Sequence, residues 1–405
     1  MKTSWAIIRV KFTDDNSEPF ADQYYNDLFT KNNTGSEWNM VKYFKDYSHG
    51  KLDLTGSKVF GWYEIDKSVE DYNALLGGAR DALIGWARKA AMDDGVDLSP
   101  FFSVVVCTNL WQDIGASPTG AGVVCQGPLT ARQWVLAHEM GHVYGMKHSR
   151  MEGSDADYQD RWDIMSVGNT WSASDTEFTL KGPGVNASNM RGRGWLDETR
   201  VWKMPNGSFD TTVTLRPLVR HDLEGYLTAE LPGGYLAEFR VREGWDGSIP
   251  RPAVLIHRFA AGASYIQLGN FGNQDLIEGD SFGNPEPDVG DLESSLNYLF
   301  SSFSRMDVIS IKPEINEAVL QIRHHQRRDL GIAIDPMALI LSGRAYLIWV
   351  EMHHPHVPKV LDLKNILRMM TAEERRAALA RAKSLGEFGS VARKAIEAFN
   401  KTLKP

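Results

Sequence analysis

A chain of 405 residues, 42% apolar and 24% charged, is long enough for two or three domains and has the composition of a water-soluble globular protein. Lys+Arg 44 against Asp+Glu 52 gives a net charge of −8, which argues against a nucleic-acid or anionic-membrane partner, and no apolar run is long enough to span a bilayer. The two cysteines, Cys107 and Cys125, are too few for a disulfide scaffold; two buried thiols or one disulfide both fit the sequence.

Trp5 to Phe12 reads as a first strand, with no basic-apolar-small signal segment ahead of it. Residues 18–30 place Phe20, Tyr24 and Leu28 at spacing four and read as a helix, and residues 38–47 as a second. Residues 48–51 form a turn into short strands at 52–54 and 59–63, and His49 in that turn is expected to pack or hydrogen bond rather than to bind metal. Ser68 is the expected N-cap of one long amphipathic helix, whose stripe is Tyr72, Leu75, Leu76, Ala79, Leu83, Trp86 and Ala90. Residues 102–107 read as a buried central strand. Gly120, Ala121, Gly122, Val123 and Val124 read as a glycine-containing edge strand, the expected place for an extended peptide to pair.

Thr130 and Gln133 have capping-box spacing and are expected to open the helix that follows. That helix contains His138-Glu139-Met140-Gly141-His142-Val143-Tyr144-Gly145-Met146-Lys147-His148. Two histidines four apart project from one helical face, where a single zinc ion can bind both. Gly145 stands where the helix must stop and turn sharply, and the turn returns His148 as a third ligand. Three protein ligands leave a position open for water, as at a catalytic zinc, and Glu139 is placed to take that water's proton. Leu136, Met140 and Val143 form a separate apolar stripe for the core.

The loop after His148 holds Glu152, Asp155, Asp157, Asp160 and Asp163. Clustered carboxylates can bind Ca2+, but these lack the ordered spacing of a calcium loop, so a solvated acidic loop is the expectation. Asp163 is a candidate for orienting a zinc-binding histidine. Met165, seventeen residues beyond His148, is the candidate floor of the site, because the long zinc motif followed by a turn carrying Met is the metzincin pattern. From about residue 201 strands dominate, at 211–215, 226–231, 235–241, 254–259, 308–311 and 318–323, separated by Gly and Pro clusters. A hairpin is expected over 336–350, and helices over 371–382 and 390–403. His353, His354 and His356 flank a proline and read as an exposed loop.

The zinc motif with Asp163-Ile164-Met165-Ser166 and Gly168 to Trp171 resembles the bacterial immune-inhibitor-A peptidases and the gametolysin-like enzymes, both metzincin-type zinc endopeptidases. Gly182-Pro183-Gly184, Gly194-Trp195-Leu196, Tyr47 to Leu52, Gly61-Trp62-Tyr63, Tyr235 to Arg240, Gly244-Trp245-Asp246 and Val254 to His257 are similar to further segments of those enzymes. The resemblance covers roughly residues 5 to 325. It implies a secreted endopeptidase made with a signal and a pro-segment; the sequence begins on its first strand, so no compartment is assigned. Some metzincins offer a tyrosine just after the Met-turn as an extra metal ligand or oxyanion donor. None stands there in this chain, which leaves Tyr144 and Tyr158 as candidates.

The expected protein is therefore a zinc metalloendopeptidase that hydrolyses protein or peptide substrates. Its expected fold is a mixed-sheet α/β (α+β) catalytic domain over 1–205, an antiparallel β-rich domain over 206–326, and a hairpin plus helical tail over 327–405 with no catalytic constellation. The alternatives are a zinc amidase acting on a non-protein amide and a non-catalytic binding protein on a metzincin fold.

Overall fold

The computed structural model describes residues 1–30, 38–110, 113–126, 131–175, 179–284, 303–325 and 371–384, with isolated positions near the C-terminus. The chain is mixed α/β. Its first half runs β1 (Trp5–Lys11), α1 (Asp22–Phe29), α2 (Met40–Tyr47), β2 (Lys58–Glu64), α3 (Val69–Asn73), α4 (Ala79–Asp93), β3 (Ser103–Thr108), β4 (Gly115–Ala116), β5 (Val123–Gln126) and α5 (Gln133–Val143). The strands form a five-stranded sheet of order β2-β1-β3-β5-β4, parallel throughout except for the antiparallel β4.

Alternation along the strands feeds two cores. Trp5, Ile7, Val105, Cys107, Val123 and Cys125 pack with α1, α2 and α5 on one face. Ala6, Ile8, Val10, Val104, Val106 and Val124 pack with Leu83, Ile84 and Ala87 of α4 on the other. A parallel sheet covered on both faces needs this near-continuous apolar sequence, and β3 is buried along its whole length. Cys107 and Cys125 are opposite each other in adjacent strands as free buried thiols.

Three local expectations are corrected. The long helix from Ser68 is two helices. Ser68 does cap α3, through a reciprocal box with Asp71, but Leu76 has φ 48° and Gly78 φ 87°, so the chain breaks before α4 and leaves Leu76 exposed. The strand expected over Gly120 to Val124 begins only at Val123 and lies inside the sheet; the edge is β4, while Gly120, Ala121 and Gly122 lie in the connection before β5. Thr130 lies outside the described residues, and α5 is N-capped by Arg132 with no side-chain hydrogen bond. Gln133 instead accepts the Gly182 N–H through its Oε1, at 3.2 Å.

The second half contains β6 (Arg150–Met151), β7 (Ala173–Asp175), β8 (Thr179–Lys181), α6 (Ala187–Gly192), β9 (Val201–Trp202), β10 (Phe209–Leu215), β11 (Thr228–Leu231), β12 (Tyr235–Arg240), β13 (Ala253–Ala260), β14 (Ala263–Ile266), β15 (Ser281–Gly283), β16 (Phe303–Lys312), β17 (Glu317–His325) and α7 (Ala372–Ser384). The chain divides into two compact units: residues 1–204, 213–280 and 308–320 form one, and 205–212, 281–307 and 321–405 the other. The break expected at 205/206 is therefore not a domain boundary for most of the β segment. The six-stranded sheet β6-β14-β13-β12-β11-β9 takes both of its outer strands from before residue 205 and pairs them in parallel. A buried polar network also ties it to the loop after the zinc motif. Arg240 pairs with Glu238 and Asp246 and donates to Trp162 O, and His257 pairs with Asp160 at 2.9 Å. Breaking such pairs apart would strand buried charges, at a cost on the order of 3–5 kcal/mol. The hairpin expected over 336–350, His353, His354, His356 and nearly all of the 390–403 helix lie outside the described residues. Among the described residues no helix is long and apolar enough to cross a membrane.

Candidate metal centre

The geometry of the site follows from how α5 ends. Gly145 has φ 88°, its N–H bonds His142 O at 2.8 Å, and Met146 N–H bonds Gly141 O at 3.0 Å. This pair of bonds is the Schellman pattern, which satisfies the last carbonyls and reverses the chain. A side chain at Gly145 would also meet Arg193 Nη1 at 2.5 Å. The reversal brings His148 back over the helix. Ligand nitrogens of His138, His142 and His148 lie within 4.8 Å of one another, so the three histidines could hold a metal ion. Among the described residues they are the group of three or more His, Cys, Asp or Glu side chains that converges in this way. The acidic loop does not assemble a calcium site: Glu152 pairs with Arg258, Asp157 with His148 and Arg150, and Asp160 with His257.

Each imidazole is oriented through its other nitrogen. His138 Nδ1 lies 2.9 Å from Ile164 O, His142 Nδ1 2.9 Å from Met146 O, and His148 Nδ1 2.9 Å from Asp157 Oδ2. A carbonyl or carboxylate oxygen can only accept, so each Nδ1 carries the proton and each Nε2 keeps its lone pair. His138 Nε2 and His142 Nε2 stand 3.0 Å apart. Burial, reinforced by His142, holds the pKa of His138 down at about 3, and burial also lowers that of His142. Both are therefore neutral at physiological pH, the form that binds metal.

Met165 is fully buried in the 3-10 turn Ile164–Ser166. A Cβ at Gly141, between the two helical histidines, would meet its Sδ at 2.8 Å, so the thioether lies directly under the helix. Asp163 does not reach a histidine. Its carboxylate caps the turn, accepting Met165 N at 2.7 Å, Ser149 Oγ at 3.0 Å and Asn186 N at 2.6 Å. Its influence on His138 passes through the backbone, since the turn it caps presents Ile164 O. The carboxylate that does orient one of the three histidines is Asp157, on His148. One member of an acidic run could not be told from its neighbours by sequence; the only signal was its position nine residues beyond His148, within reach of a short loop.

Glu139 is nearly buried, and its Oε2 accepts the Ala116 N–H at 2.7 Å. Burial raises its pKa to about 7 against the opposing pull of that N–H and of Arg80. Tyr158, at φ 63°, lays its ring on His148 and brings its hydroxyl to 2.9 Å from His148 Nε2. Tyr144 turns away: its hydroxyl bonds Trp5 Nε1 at 2.8 Å and Thr3 Oγ1 at 3.2 Å in the core. His49 Nδ1 accepts from Asp197 N at 3.4 Å, a structural role. No protein-family model, curated protein or solved structure matches this chain.

Proposed function

We propose that the chain is a zinc-dependent metalloendopeptidase of the metzincin kind, with His138, His142 and His148 as ligands and Glu139 as general base. The observation that carries this reading is that the Nδ1 of each of the three imidazoles faces an oxygen that can only accept. With every Nδ1–H committed to an oxygen, the lone pairs of His138 and His142 face each other at 3.0 Å. Two lone pairs repel at that distance, and a cation between them removes the conflict. Three imidazoles fit zinc and leave coordination positions for water and substrate. When bound, zinc acts as a Lewis acid that polarises a carbonyl oxygen and lowers the pKa of a water toward ~7.

The chain's own groups supply the rest. Glu139, whose Oε2 is held by Ala116 N–H, takes a proton from the attacking water and returns it to the leaving nitrogen. That leaves Oε1 for the proton. The Tyr158 hydroxyl stands 2.9 Å from His148 Nε2 and can bond the oxygen on which negative charge develops. Met165 and Asp163 keep the turn under the histidines in place and move no protons.

The test is metal analysis of the purified chain, with digestion of casein before and after a chelator and after zinc is restored. Stoichiometric zinc and chelator-sensitive cleavage are expected. Cleavage confined to a panel of non-peptide amides would transfer the site to an amidase, and zinc without any hydrolysis would favour a binding protein.

A further inference from the structure

The edge strand β4 has no free outward-facing backbone among its described neighbours. Its pairing with β5 is completed by Ser117 N–H bonding Gly122 O at 2.8 Å. The groups pointing the other way belong to Ile114 and Ala116. Ala116 N–H goes to Glu139 Oε2 at 2.7 Å, while the guanidinium of Arg80 takes Ala116 O through Nη1 at 3.2 Å and Ile114 O through Nη2 at 2.6 Å. Arg80 is itself gripped by Asp113 in a fork, Nε to Oδ2 at 2.6 Å and Nη2 to Oδ1 at 2.7 Å, and Tyr72 Oη donates to the same carboxylate at 3.1 Å. Gly115 makes room for it, since a Cβ there would lie 2.1 Å from Nη1.

We propose that Arg80 is a positioning residue: it clamps β4 from α4 so that Ala116 N–H stays on the carboxylate of Glu139. The proposal rests on the reading of Glu139 as a general base. A guanidinium so placed could instead be a gate that an extended substrate displaces. The strengths of the bonds decide against this. Arg80 gives each carbonyl one charge-assisted bond, roughly twice as strong as the neutral bond a substrate's backbone N–H would offer it, and its fork with Asp113 fixes the guanidinium in place. The clamp therefore stays closed through turnover, and substrate gains no affinity from Ile114 O or Ala116 O. Fork geometry matters here as well as charge, because four acceptor atoms of fixed position are held by one planar group.

The variants are Arg80→Met, Arg80→Lys and Gly115→Ala in the full zinc-loaded chain. Hydrogen–deuterium exchange is read over residues 113–117, and kcat and KM are read on casein. Exchange at Ala116 should rise in all three, zinc content should hold, and kcat should fall by up to ~10²-fold, the scale of an ångström-sized misplacement. KM should stay within about twofold, since substrate does not use the clamped carbonyls. If Arg80→Met fails to fold, the lysine and alanine variants give the same reading. A fall in KM with kcat intact would make Arg80 a gate, and full activity in Arg80→Lys would reduce its role to charge; either result overturns the proposal. A zinc-loaded parent that hydrolyses nothing defeats the peptidase reading. The exchange result still decides the clamp in that case, because unchanged protection of Ala116 in Arg80→Met would remove it.

Discussion

Replacing Asp157 with asparagine separates shape from charge at the third histidine. Asp157 Oδ2 accepts from His148 Nδ1 at 2.9 Å, and Oδ1 accepts from Arg150 Nε at 2.8 Å. Asparagine has one acceptor oxygen. If that oxygen stays with Arg150, the amide NH2 faces His148 Nδ1, which must then present a lone pair and move its proton to Nε2, the atom needed by the metal. If it stays with His148, two donors face each other at Arg150. Loss of such an orienting partner costs 10- to 100-fold in metal affinity or activity as a rule, on the order of 1.4–2.7 kcal/mol. The Asp157 side chain is 36% exposed, so water replaces part of what is lost, and the expected effect is at the low end, about tenfold. The assay is zinc competition against a chromophoric chelator, with thermal unfolding of the apo protein alongside. Apo stability should move by less than about 0.5 kcal/mol, as for a surface substitution. Parental zinc affinity in Asp157→Asn would refute the role given to the carboxylate.

Met165→Leu conserves volume in a closed core and should cost less than ~1.5 kcal/mol by denaturant unfolding, with zinc retained and activity reduced but present; a zinc-replete but inactive leucine variant would give the thioether a chemical role. His257 titrates in the opposite sense from His138 and His142. Burial works against its charge, but Glu238 and Asp160 outweigh this and raise its pKa to about 10. A folded pKa above the ordinary 6.5 means its contribution to stability is complete below about pH 6.5 and is lost as pH rises through about 10. The apo protein's melting temperature should therefore fall on the alkaline side, and a curve that stays flat to pH 10 would contradict the ion pair.

What could be read from the sequence was what depends on short-range spacing. The HExxH turn geometry, the glycine that ends the helix and the Met seventeen residues on are local patterns, and they placed His138, His142, His148 and Met165 together. β1 and β3 were legible because fully buried parallel strands are continuous apolar runs. The failures involve partners distant in sequence. Nothing near Asp157 or Asp163 distinguishes the carboxylate that reaches a histidine from the one that caps a turn. Arg80 lies 33 residues from Asp113, and only the fold brings its guanidinium to β4. The two-residue β4 is too short to carry any periodicity, so the edge of the sheet was assigned to the next segment. Residues 213–280 look separate in the sequence because their strands alternate cleanly, while their place in the same unit as residues 1–204 depends on β6, β9 and buried ion pairs formed across long stretches of chain.

The most direct measurement is zinc content and peptide turnover, side by side, for the parent, Glu139→Ala and His138→Ala. Glu139 is assigned to move protons and His138 to hold metal, on adjacent positions of one helix. Glu139→Ala should keep a full equivalent of zinc and lose the ~10²–10⁴-fold that a general base contributes. His138→Ala should lose both, since only two protein ligands remain. A Glu139→Ala protein with zinc bound and near-parental turnover would contradict the account.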